Sequence, residues 1–143
     1  MASENLPEKK VDENGIHNIV GLNFKEFISD NNKNIVLCLC SKVSKMCKKF
    51  SKILANIGKI FKNFTDINIG ITDFNANEFD INFKEHFPQI ILLPKNEENN
   101  FSIKERFENS FLFDEDFTTK DILRFIDENT KFIYKKKINF KFF

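Results

Sequence analysis

Apolar residues fall into short dense runs around one long stretch with helical spacing. Met46, Cys47, Phe50, Ile53, Leu54, Ile57, Ile60, Phe61 and Phe64 recur mostly at steps of three and four. Lys45, Lys48, Lys49, Lys52, Lys59 and Lys62 lie between them. That spacing predicts an amphipathic helix with one buried stripe, and Ser44 is a suitable N-cap for it. Just before it, "NIVLCLC" (Asn34–Cys40) is an unbroken apolar run of strand length, the pattern of a central strand covered on both faces. "IHNIV" (Ile16–Val20), "INIGIT" (Ile67–Thr72), "QIILLP" (Gln89–Pro94) and "FLFDED" (Phe111–Asp116) read as further strands. "NFKEFISD" (Asn23–Asp30) reads as a short helix with Phe24, Phe27 and Ile28 on one face. "EFDINFKEHF" reads as a short helix or turn ending at Pro88, and Lys95–Asn109 as a polar excursion. Thr118–Asn129 is a last helix, capped by Thr118 or Thr119, with Ile122, Leu123, Phe125 and Ile126 as its stripe. Residues 1–15 read as a disordered leader and 131–143 as a basic, aromatic tail.

Strands alternating with helices predict one α/β domain over residues 16–130, with a central mixed sheet flanked by helices. The two adjacent strands near the end predict an antiparallel edge. Composition adds little that bears on function. Apolar residues make up 41% of the 143, a globular balance. The net charge of +1 gives no overall pull toward nucleic acid or membrane. No apolar run reaches the ~18 residues of a membrane-spanning helix. Nineteen Phe and no Trp reflect a coding bias more than a function. Cys38, Cys40 and Cys47 do not make a disulfide framework. They have no zinc spacing to His17 or His86 either, and no metal or cofactor is expected.

Several separated segments carry a resemblance. "VGLNFKEFI", "NIVLCLCSKVSKMCKKF", "ITDFNANEFD", "HFPQIILLP" and "FTTKDILRFIDENT" occur in that order between Ile16 and Thr130. Together they resemble the catalytic-type domains of the protein disulfide isomerase family. The resemblance implies a single thioredoxin-fold domain, with Phe87–Pro88 as the cis-proline loop beside the active-site turn. It also implies a role in protein folding, unfolded or partner polypeptides as ligands, and the endoplasmic reticulum lumen or secretory pathway. The polar start has no secretory signal and "NFKFF" is no retention signal, which leaves the cytoplasm open as an alternative.

The departures from the family pattern matter most. Where the family has Trp-Cys-Gly-His-Cys, this chain reads Val43-Ser44-Lys45-Met46-Cys47. A hydroxyl cannot exchange with a disulfide, because the attacking species is a thiolate. Ser44 therefore cannot replace the nucleophilic cysteine, and a two-cysteine cycle at this motif is excluded. The family's buried carboxylate falls at Cys38 and its arginine near Phe117, so both groups that assist the second thiol are absent. The resulting expectation is a redox-inactive domain that binds polypeptide through Val43, Ser44, Lys45, Phe87 and Pro88.

Two alternatives stay open. Cys47 is either a small apolar residue on the first turn of the helix or a monothiol beside Lys45 and Lys48 that acts as a reduced isomerase or oxidoreductase. The seven lysines from Lys42 to Lys62, with no acid among them, are either a solvated face or a scaffold's docking face for an acidic partner or anionic membrane. Cys38 and Cys40 share one strand face by the period of two. In this fold that face lies under the start of the long helix, so all three cysteines are expected to cluster. Core packing is the expected role of Cys38 and Cys40, with a Cys38–Cys47 disulfide as a further alternative.

Overall fold

The computed structural model describes residues 2–83 and 87–130. Its elements are β1 (Ile16–Ile19), α1 (Phe24–Ile28), β2 (Asn34–Cys40), α2 (Lys45–Phe61), β3 (Ile67–Asp73), β4 (Gln89–Leu93), α3 (Ile103–Glu108), β5 (Phe111–Leu112) and α4 (Thr119–Asn129). The five strands form one sheet in the order β1-β3-β2-β4-β5. β1, β3 and β2 run parallel, whereas β4 opposes β2 and β5 opposes β4. This is an α/β domain of the thioredoxin type, with a mixed sheet between helices.

β2 explains why the sheet is covered on both sides. All seven of its residues are buried. The strand's period of two sends Val36, Cys38 and Cys40 into one core cluster, with the stripes of α2 and α4. Ile35, Leu37 and Leu39 enter the other, with Phe24, Phe27 and Ile28 of α1 and, from α3, Ile103 and Phe107. Burial of each such aliphatic side chain contributes roughly 1.5–3 kcal/mol relative to exposure.

α2 begins where its cap predicts. Ser44 has extended backbone, and its side chain accepts the Cys47 N–H. The buried stripe is Cys47, Phe50, Leu54, Ile57, Gly58 and Phe61. Met46, placed on that stripe by spacing, is instead 51% exposed, because it falls at the stripe's edge, on the side of half-buried Ile53 and Ile60. Gly58 has a packing reason. A Cβ there would lie 2.5 Å from both the Asn14 carbonyl oxygen and Ile16 Cδ1, so its absence lets the entry to β1 lie directly on the helix.

Three expectations need correction. The polar excursion after β4 contains α3, opened by a capping box in which Ser102 and Glu105 bond reciprocally. The segment expected as a short helix or turn has bends at residues 80 and 81 and no helix over residues 78–83; Phe79 and Phe83 pack there as rings around Phe24 and Phe74, while Lys84–His86 of that element lie outside the described residues. β5 is two residues long, with one further backbone bond from the Phe113 N–H to the Ile90 carbonyl at 3.0 Å, and Phe113 is buried. Residues 2–15, expected as a disordered leader, make defined contacts. Val11 bridges His17, the Asp12 carboxylate accepts the N–H groups of Asn14 and Ile16, and Glu4 N–H donates to Asn77 Oδ1 at 2.9 Å. The tail at 131–143 lies outside the described residues.

α3 carries Arg106, whose burial polarity alone would not suggest. It is 2% exposed. Its guanidinium donates to the carbonyls of Ile28, Asp30, Lys33, Leu93 and Pro94 at 2.8–3.2 Å. Burial lowers its pKa, while the Asp30 charge opposes that shift. The five carbonyls explain how a buried cation is tolerated.

Candidate functional site at the end of strand β2

Parallel β1, β3 and β2 all finish at one end of the sheet, where crossovers leave backbone groups unpaired and side chains can converge. The turn from Ser41 to Ser44 joins Cys40 to the cap of α2. Ser41 is buried and organises that turn. Its N–H donates to Cys47 Sγ at 3.3 Å, and its Oγ accepts from Asn75 Nδ2 at 2.8 Å. Its carbonyl accepts the Ser44 N–H at 3.1 Å. The Cys40 carbonyl accepts the Phe74 N–H at 2.9 Å, so the turn after β3 is fastened to the turn after β2.

The turn projects its middle into solvent. Val43 is 86% exposed and Lys45 is exposed, while Ser44 is half-buried because its hydroxyl is engaged as the cap. Pro88 comes alongside through the sheet. Leu39 pairs with Gln89 in antiparallel register, which brings Pro88 beside Cys40. The Phe87–Pro88 peptide bond is cis. Phe87 is half-buried, its ring 5.2 Å from that of Phe74, and Pro88 is buried. All five residues expected to form a binding surface thus lie at this end of the sheet. Val43, Lys45 and part of Ser44 present accessible atoms, whereas Pro88 is covered.

The three cysteines cluster as expected, all buried and all free thiols; no Cys38–Cys47 bond is present. Burial, with the neighbouring Cys47 sulfur, pushes the Cys38 thiol far above its ordinary range. Burial raises Cys40 as well, assisted by a hydrogen bond from its thiol to Cys47 and by the charges of Cys47, Cys38 and Asp73. Both thiols therefore stay protonated at neutral pH. A thiol held protonated cannot serve as a general base, the role that the resemblance assigns to a carboxylate at the position of Cys38. Phe117 is a ring of the core, 5.6 Å from Phe50 and 5.5 Å from Phe113, and supplies no cation.

Sequence reasoning missed a cavity of about 530 Å³ that reaches this cluster. Cys40, Cys47, Thr72 and Asp73 are among its lining residues, and Glu4, Asn5 and Pro7 from the chain's start form part of its wall. Its size lies within the range of small-molecule sites, about 300–1,000 Å³. Nothing in the polar opening segment signals that it returns to this place.

No protein-family model matches the chain, and no curated protein matches its sequence. Solved structures do match. Chloroplastic thioredoxin z is similar over 80% of this chain and 93% of its own, with a TM-score of 0.61 at 11% identity. The first thioredoxin domain of mouse protein disulfide-isomerase A4 matches over 82% of this chain and 76% of its own, with a TM-score of 0.59 at 20% identity. The Trx4 domain of ERdj5 matches over 80% and 94%, with a TM-score of 0.57 at 12% identity. At these identities the likeness establishes the thioredoxin fold. No helix among the described residues is long and apolar enough to cross a membrane.

Proposed function

We propose that this chain is a folding-related, thioredoxin-like module that binds extended polypeptide at the β2 end of the sheet and runs no dithiol exchange through its turn motif. The observation that carries this reading is the exposure of Val43, at 86%, beside a serine whose hydroxyl is spent on capping. An apolar side chain held out on a fastened turn, with half-exposed Met46 next to it, is a contact surface for another chain. Ser44 offers no sulfur, and the Cys38 and Phe117 positions offer neither base nor cation. The resemblance to disulfide isomerase domains supports polypeptide as the ligand and the secretory pathway as the location.

Fluorescence anisotropy with a labelled, reduced and unfolded polypeptide tests the reading. Val43→Asp should weaken binding at least several-fold, and Lys52→Glu, further along α2, should leave it unchanged. Equal binding by Val43→Asp and the parent protein would remove the proposed surface.

The monothiol reading has one observation in its favour: Cys47 Sγ accepts the Ser41 N–H. Against it, Cys47 is only 6% exposed, out of reach of a protein disulfide. Insulin reduction by the parent protein and by Cys47→Ser should be equal, and activity lost in the variant would replace the binding reading with this one. The scaffold reading rests on Lys42, Lys45, Lys48, Lys49, Lys52, Lys59 and Lys62, all of which are exposed. It requires binding to an acidic partner or anionic vesicles that weakens steeply with salt.

A further inference from the structure

We propose that residues 131–143 of this chain dock along the seam between β5 and α4 and cover the apolar edge of the sheet there. The proposal is independent of polypeptide binding at Val43, because it concerns the β5 edge and a segment of the chain itself.

The surface is open and apolar, with an acidic border. β5 is the last strand in the sheet order, and among the described residues no strand pairs with its outer side. Phe111 and Leu112 are 42% and 45% exposed. Two large apolar side chains on an open edge are a liability that proteins cover or blunt with charge. With Phe113 and Phe125 they line a groove of about 290 Å³, and Asp114, Glu115 and Glu128 line it too. These three acids and Asp116 are exposed, and none of them makes an ion pair among the described residues.

The chain carries the complement. β5 and the residues after it read Phe111-Leu112-Phe113 and then Asp114-Glu115-Asp116. The segment after α4 reads Phe132-Ile133-Tyr134 and then Lys135-Lys136-Lys137, and residues 131–143 contain no acid. α4 sets the two blocks level. It begins next to Phe117, whose ring lies 5.6 Å from that of Phe50 near the start of α2. Its 11 residues return the chain by about 16 Å, close to the extended length of residues 111–115. Its last turn lines the same groove through Glu128 and Asn129. A segment that leaves Thr130 and turns back along the seam therefore meets the apolar block first and the acidic block second. Apolar side chains then lie on apolar ones, and ammonium groups lie on carboxylates. At ~3.3 Å per extended residue the segment is long enough to pass both blocks.

The cover is made by side chains and not by a sixth strand. The β1-α1-β2 crossover, right-handed as such connections are, passes over the sheet face on which α1 packs. A strand outside β5 would step in the same direction across the sheet, while its connection, α4, packs on the opposite face. That is the left-handed sense. Strand pairing at this edge would therefore need the tail of a second copy.

Carbodiimide cross-linking of the full chain tests the proposal. Equal parts of unlabelled and nitrogen-15-labelled protein are mixed, cross-linked, digested and mapped by mass spectrometry, so that links within one chain and between chains differ in mass. The expected links join Lys135, Lys136 or Lys137 to Asp114, Glu115 or Asp116 within one chain. They should exceed, several-fold, links to Glu97 and Glu98, which are exposed in the loop after β4. The double variant Phe111→Ser, Leu112→Ser should abolish that preference, with folding verified by circular dichroism. If it fails to fold, Phe132→Ser with Ile133→Ser tests the same contact from the other side. Links spread evenly over all these acids, links found only between chains, or no links from Lys135–Lys137 would each overturn the proposal.

Discussion

The Ser44 side-chain oxygen accepts the Cys47 backbone N–H at 3.2 Å, so the first and last residues of the four-residue turn motif are joined by a helix cap rather than by sulfur chemistry. The turn is thus held at its end by an oxygen acceptor on the residue that opens the helix. Substituting Ser44→Ala should remove the cap and destabilise the protein by about 1 kcal/mol. Placing a cysteine there, Ser44→Cys, should cost a similar amount, because a thiol is a weak acceptor. Urea unfolding of the two variants against the parent measures both, and an unchanged midpoint for Ser44→Ala would show that the cap is dispensable.

Arg106 should be among the most sensitive positions in the molecule. Arg106→Met keeps the length and the apolar stem but removes the donor from five carbonyls, of which those of Ile28 and Leu93 are in buried bonds. A loss of at least about 3 kcal/mol is expected from charge-assisted bonds of this kind. Arg106→Lys should recover only part of it, because an ammonium places three donors at one point while the carbonyls surround a planar fork. Thermal melts of both variants give the ranking, which would fail if lysine restored full stability.

Gly58→Ala sets two effects of opposite sign against each other. Helix propensity alone favours alanine by about 1 kcal/mol. The added Cβ, however, would meet the Asn14 carbonyl and Ile16 Cδ1 at 2.5 Å. One of these contacts is backbone, which yields only if the entry to β1 moves. Net destabilisation is expected, and a stabilised variant would mean that residues 12–16 can lift from the helix at little cost.

His17 gives a pH dependence. Burial lowers its pKa from 6.5; the Lys10 charge adds to the effect and Asp12 opposes it. The unfolded chain therefore binds the proton more readily than the folded one. Stability from this group is complete above about pH 6.5 and is lost as pH falls through the lower folded value. His17→Gln should flatten that part of the stability–pH curve without changing its upper plateau. Denaturant midpoints measured from pH 7.5 downward report it, and an unchanged slope in the variant would assign the acid sensitivity elsewhere.

Much of the architecture was readable in the pattern of residues, and the misses have physical causes. β2 and α2 stand out because one is apolar throughout and the other repeats at helical steps; their positions follow from those patterns alone. α3 was hidden by the Lys, Asn and Glu around it, although the Ser102–Glu105 spacing is a capping box and was its available signal. Nothing near Arg106 in sequence announces its burial, because the carbonyls it holds come from Ile28 to Lys33 and from Leu93 and Pro94. β5 was overestimated because the apolar run extends to Phe113, one residue beyond the assigned strand, whose N–H still bonds to the Ile90 carbonyl, and the acidic residues after it were counted with it. At the site, strand periodicity and the start of the helix together bring the three cysteines into one place. That Cys40 rather than Cys38 shares the cavity with Cys47 depends on where β2 ends relative to the first turn of α2, a depth that periodicity does not encode.

Asn77 has a consequence for how the interior meets solvent. Its Oδ1 accepts the N–H groups of Glu4 and Gly21, while its Nδ2 donates to the Asp73 carbonyl and the Glu4 carboxylate. One amide thus pins the first residues of the chain to two turns, and those residues wall the cavity over Cys40 and Cys47. The covering of the two thiols is therefore held by a single side chain that lies more than 25 residues from either sulfur in sequence.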